Sequence, residues 1–102
     1  MPQKERVLLI IIAERNLKYK VTKAIENVGA VMFNATYVKG SMQKNRLLRT
    51  LGLTVEERKV LLTCLIERKN ITNAFKTLND KFKFDQPNTG IAFTLPLESI
   101  SY

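Results

Sequence analysis

The chain has 102 residues, 45% of them hydrophobic and 25% charged, with no histidine and a single cysteine. That is one domain's worth of ordinary folding sequence, residues 1–102, which excludes a disordered tail and an intrachain disulfide and points to a reducing, cytoplasmic compartment. A formal net charge of +8 favours anionic partners such as nucleotides, nucleic acid or acidic protein faces, and carries no information about fold.

The first element is the apolar run Val7-Leu8-Leu9-Ile10-Ile11-Ile12-Ala13. It is rich in branched residues at both parities, as in a strand covered on both faces. It is too short to span a bilayer. Glu14-Arg15-Asn16 follows it where a signal peptide would need small residues, so neither membrane insertion nor export is expected. Asn16 is placed to cap a helix whose apolar stripe is Leu17, Val21, Ala24, Ile25 and Val28, with Gly29 ending it. Ala30 to Val38 reads as a second strand. Val31, Phe33, Ala35 and Tyr37 fall on one side, and Met32, Asn34, Thr36 and Val38 on the other.

Residues 39–58 are a long basic loop, carrying Lys39, Lys44, Arg46, Arg49 and Arg58 against Glu56 and Glu57. Leu47, Leu48, Leu51 and Leu53 add apolar surface, and Thr54-Val55-Glu56-Glu57 has the form of a capping box. Loops beyond about 12–15 residues in a compact domain are usually functional or disordered. Lys59 to Ile66 is a third strand, again apolar at both parities, with Cys64 as a small core residue. Asn70 is placed to cap a second helix with the stripe Ile71, Ala74, Phe75, Leu78 and Phe82. Asp85-Gln86-Pro87-Asn88 is turn chemistry, and a last strand runs from about Gly90 to Leu97.

The order strand, helix, strand, loop, strand, helix, strand predicts an α+β, ferredoxin-like βαββαβ domain, with both helices on one face of a four-stranded antiparallel sheet. Strands one and three are apolar on both faces, so a second subunit is expected to cover the face that the helices leave.

Gly29-Ala30, Val38-Lys39-Gly40 and the closing Gly90-Ile91-Ala92-Phe93-Thr94-Leu95-Pro96, in this element order, resemble the PII nitrogen-regulatory signal proteins. Val38-Lys39-Gly40 matches the entry to that family's T-loop, and Phe93-Thr94-Leu95-Pro96 its Phe-Val-Leu-Pro strand. The resemblance implies a homotrimer, an adenine nucleotide (ATP or ADP) bound in the clefts between subunits, and a T-loop that docks on a transporter or enzyme. It implies ligand contacts at Lys39, Gly40, Gln43, Thr89 and Gly90, and partner docking through Lys44, Arg46, Leu47, Leu48 and Arg49. The chain departs from the family at the phosphate loop. Asn88-Thr89-Gly90-Ile91 stands where the family has Gly-Asp-Gly-Lys, so Ile91 occupies the place of the phosphate lysine. No tyrosine lies within 39–58, and the family's arginines after the last strand are missing.

Catalysis finds no support. There is no histidine and no metal-spaced cysteine pair, and no nucleophile stands beside a base. The rival class is a basic, ferredoxin-like nucleic-acid-binding module. Such sheets stack bases on exposed aromatics of the central strands. Strands one and three carry none, which argues against an RNA platform. Glu14-Arg15 and Glu67-Arg68-Lys69 occupy equivalent places after strands one and three and read as solvated charge.

Overall fold

The computed structural model describes residues 5–38, 58–87 and 89–97. Its elements are β1 (Arg6–Glu14), a 3-10 turn (Arg15–Leu17), α1 (Lys18–Glu26), β2 (Val31–Val38), β3 (Lys59–Glu67), a second 3-10 turn (Arg68–Asn70), α2 (Ile71–Phe82) and β4 (Gly90–Pro96). The strands form one sheet in the order β2-β3-β1-β4, and every neighbouring pair is antiparallel. This is the ferredoxin-like arrangement expected from the order of elements. The two most apolar strands, β1 and β3, lie at its centre.

Alternation along those central strands divides the sheet into two faces. Val7, Leu9, Ile11 and Ala13 stand opposite Ile66, Cys64, Leu62 and Val60. These eight form a buried cluster with Val21 and Ile25 of α1 and Ala74 and Leu78 of α2. The helical stripes read from the sequence are the stripes that pack: Leu17, Val28, Ile71, Phe75 and Phe82 rest on the edge of this cluster.

Three local readings require correction. Asn16 does not cap α1. It lies inside the 3-10 turn, and neither Glu14 before that turn nor Leu17 before α1 makes a side-chain cap bond. Asn70 does hold the N-cap position of α2, but its side chain makes no cap bond either. Its amide packs against Gly29, where a Cβ would stand 2.8 Å from Asn70 Nδ2. Third, Val31 does not share a face with Ala35 and Tyr37. It pairs with Leu65, whereas Asn34 pairs with Thr63, so β2 holds one extra residue across a bulge. Met32 sits in that bulge with φ 58°, which flips the strand's parity, and simple alternation cannot reveal such an insertion.

Both helices end in left-handed residues. At the end of α1 this is Gly29, at φ +100°. The N–H of Ala30 reaches back to the carbonyl of Ile25, a Schellman closure. After α2 it is Lys83, at φ 58°, with Phe84 N–H donating to Leu78 C=O. The second closure uses a residue that carries no glycine signal in the sequence.

Candidate functional site

The register gathers the ends of all four strands at one end of the sheet. Gly90 pairs with Ala13, Ala13 with Val60, and Val60 with Tyr37. Val38 and Lys59, the last pair of the β2–β3 ladder, are the two roots of the segment that begins at 39. The Gly90 turn and the loop roots therefore share one end of the molecule. The Gly90 turn and the Val38 root stand on opposite margins with β1 and β3 between them, while the Lys59 root lies on β3. At a strand spacing of about 4.8 Å, Gly90 and Tyr37 are roughly 14 Å apart across the sheet.

Of the residues expected to bind ligand, Thr89 and Gly90 fall within the described structure, while Lys39, Gly40 and Gln43 lie outside it. So do the docking residues Lys44, Arg46, Leu47, Leu48 and Arg49. Thr89 Oγ1 lies 2.5 Å from the carbonyl of Lys83 and 2.9 Å from that of Gln86. Its one hydroxyl proton is thus shared within the turn, leaving the backbone as the group Thr89 can offer outward. Gly90 is buried, and a Cβ there would meet the Phe84 ring at 2.5 Å and the Ile12 carbonyl oxygen at 2.9 Å. Close packing alone accounts for this glycine. Beside it, Phe75, Leu78, Asn79, Phe84, Ile91 and Ala92 line a cleft of about 240 Å³.

The face of the sheet away from the helices is apolar across β1, β3 and β4, with Asn34 and Thr36 on the β2 edge. Leu8, Leu65 and Leu95 stand in one row, and Ile12, Leu61 and Ile91 in another, with Ile10, Thr63 and Phe93 between them. None of these joins the cluster that the helices complete. Ile12 is buried and Leu95 is 45% exposed, and the remaining apolar ones are half-buried. Water is a poor neighbour for such a surface.

Two features of the loop root are not visible in the sequence. Lys59, there simply the start of a strand, is fully buried, and a lysine is buried only where its charge is compensated. On the helix side, Tyr37 is held between cations. The Arg15 guanidinium lies over its ring at 4.5 Å, and Lys18 Nζ donates to its hydroxyl at 3.2 Å. Arg15 reads as solvated charge in the sequence, and only the register shows that it meets Tyr37. Cys64 is an inert core thiol: burial pushes it up to about 11.

No protein-family model matches this chain, and no curated protein matches it in sequence. Solved structures do share its fold. The apo form of CPII from Thiomonas intermedia, a nitrogen regulatory PII-like protein, superposes with a TM-score of 0.68 at 12% identity, over 90% of this chain and 89% of that one. A putative PII-like signaling protein from Thermus thermophilus gives 0.65 at 16% identity, over 91% and 87%. Arabidopsis thaliana PII bound to citrate gives 0.63 at 14%, over 95% and 81%. CPII has also been solved bound to ADP, AMP and bicarbonate. The fold of this chain is that of the PII and PII-like proteins.

Proposed function

We propose that this chain is a PII-like signalling protein. In this reading it is a cytoplasmic homotrimer that binds a small anionic ligand, an adenine nucleotide, between subunits. It regulates a transporter or enzyme through residues 39–58. It is a regulator rather than an enzyme, and nitrogen control is the physiological setting its structural neighbours suggest.

The observation that carries the reading is the sheet's second face. Its centre is as apolar as a core, and the chain's own helices cover the other side. A second copy seated on β1, β3 and β4 would cover it at little cost in unpaired polar groups, because Thr63 is the only polar residue among their rows described above. Packing sheet on sheet around an axis would bring the margin of one chain towards that of the next. A ligand could then touch loop residues Lys39, Gly40 and Gln43 together with the turn at Thr89 and Gly90, although about 14 Å separates these margins within one chain. Lys44, Arg46, Leu47, Leu48 and Arg49 would form the docking segment. Ligand binding would shift that segment between docked and free states in proportion to its differential affinity for the two.

Calorimetry with ATP, ADP and AMP tests the ligand. Replacing a charge-assisted phosphate contact by Ile91 removes about 1.5–3 kcal/mol, roughly ten- to a hundred-fold in affinity. Saturable but weak nucleotide binding is expected, and no binding by any of the three would reject the adenine reading. Nucleic acid is the less favoured partner: Phe93 is the one aromatic in those same rows of the second face, and it lies on an edge strand. Binding of RNA or DNA that persists near physiological salt would reverse that preference.

A further inference from the structure

The β1–β3 pair has an internal near-symmetry that exposes an incomplete site. At one end, Arg68 follows β3 and its backbone N–H donates to the carbonyl of Glu5, the residue before β1. At the other end, Arg15 follows β1 and its backbone N–H donates to the carbonyl of Arg58, the residue before β3. Each arginine opens a 3-10 turn and is preceded by a glutamate. Each end also forms a cleft from equivalent residues. Glu5, Glu67, Arg68 and Lys69 line one, of about 390 Å³. Arg58, Glu14, Arg15 and Asn16 line the other, of about 490 Å³.

The two clefts differ in charge. In the first, Arg68 Nε meets the Glu5 carboxylate at 2.9 Å, and Lys69 lies 3.6 Å from Glu67, so cations and carboxylates balance. In the second, Arg58 stands where Glu5 would be. By backbone position a cation thus replaces a carboxylate, so two arginines share this cleft with the single carboxylate of Glu14. Arg15 Nε is left with less than 1 Å² of accessible surface and no hydrogen-bond partner. The Arg15 guanidinium lies over the Tyr37 ring at 4.5 Å, which restrains it beside the cleft. A shielded, unpaired donor is costly, and a guanidinium edge is shaped for an oxyanion.

We propose that the Arg15–Arg58 cleft binds a small oxyanion, a carboxylate or phosphate group, which takes the place that the Glu5 carboxylate holds in the other half. The site lies on the helix side of the loop root, since Tyr37 pairs with Val60 of the helix-covered cluster. It is therefore separate from the second face and does not depend on the nucleotide reading. Arg58 is the residue immediately before β3, so an anion held there also fixes the chain at the end of the 39–57 segment.

The test follows the arginine Nε–H signals by NMR in the full chain. Sodium phosphate and sodium malonate are titrated separately, with ionic strength held constant by sodium chloride. The Arg15 signal should move saturably in at least one titration, and the stronger response identifies phosphate or carboxylate as the preferred group. The Arg68 signal, already paired, should stay in place. Arg58→Glu supplies the missing carboxylate and should lower affinity at least tenfold. The fold should survive, because the Arg58 side chain is exposed and its structural contact is made by the backbone carbonyl. Glu5→Arg should create the converse, a second saturable response at Arg68. An Arg15 signal that ignores both anions, or that moves only in parallel with Arg68, overturns the proposal. So does an Arg58→Glu variant that binds as well as the parent.

Discussion

Gly90 shows how one residue can be read correctly in place and ambiguously in purpose. Its position before the last strand suggests close approach to a ligand, yet the packing gives it a role of its own. A methyl group at that point would lie 2.5 Å from the Phe84 ring and 2.9 Å from the Ile12 carbonyl. A ring can shift, but a carbonyl in the central strand cannot do so without disturbing its ladder. Gly90→Ala is expected to destabilise the fold by about 1–3 kcal/mol, the usual scale of overpacking, read as a lower urea midpoint. Combining it with Phe84→Leu should recover only part of that loss, since the carbonyl contact remains. A fully stable Gly90→Ala that loses ligand would instead assign the glycine to binding. The same scale explains why the roles of Arg15 and Lys59 escape a reading of the sequence. Charge looks solvated there, and only the register shows Arg15 resting on Tyr37 and Lys59 buried beside the last pairs of the ladder.

At the scale of elements, strands and helices are legible because their apolar periods are strong. The runs in β1 and β3 have branched residues at both parities, and both helical stripes meet the core as read. Boundaries and parity are less legible, because they depend on single backbone dihedrals. The bulge at Met32 and the left-handed Lys83 carry no glycine to announce them. The two helix ends make a matched experiment. Lys83→Gly removes the cost of a side chain at positive φ and should stabilise by about 0.5–1 kcal/mol. Gly29→Ala should destabilise by at least about 1 kcal/mol, because φ is +100° and Asn70 Nδ2 stands 2.8 Å from the new Cβ. Thermal melts of the two variants should move in opposite directions. Movement of both in the same direction would reject this account of the helix ends.

Across the whole molecule, residues 39–57 are expected to be dispensable for closing the sheet. β2 and β3 are consecutive and antiparallel and remain paired up to Val38 and Lys59. Joining Gly40 to Arg58 through a short turn, which keeps the Arg58 carbonyl that accepts from Arg15 N–H, replaces a long connection by a hairpin. Loop-closure entropy changes slowly with length, so the shortened chain should fold and melt within a few degrees of the parent while losing the partner regulation proposed for residues 39–58. Unfolding of the shortened chain would instead place Leu47, Leu48, Leu51 and Leu53 in the core.

The second face is also legible, since two-sided apolar strands call for a cover on each side, but the sequence does not specify the geometry of that cover. The central claim is that copies of this chain supply it, and that the ligand lies between them. Sedimentation equilibrium at micromolar concentration tests this most directly. The account predicts a single species of about 35 kDa, three chains of 11.7 kDa each. A stable monomer of 11.7 kDa would leave the apolar face open to water, remove the cleft between subunits, and contradict the account.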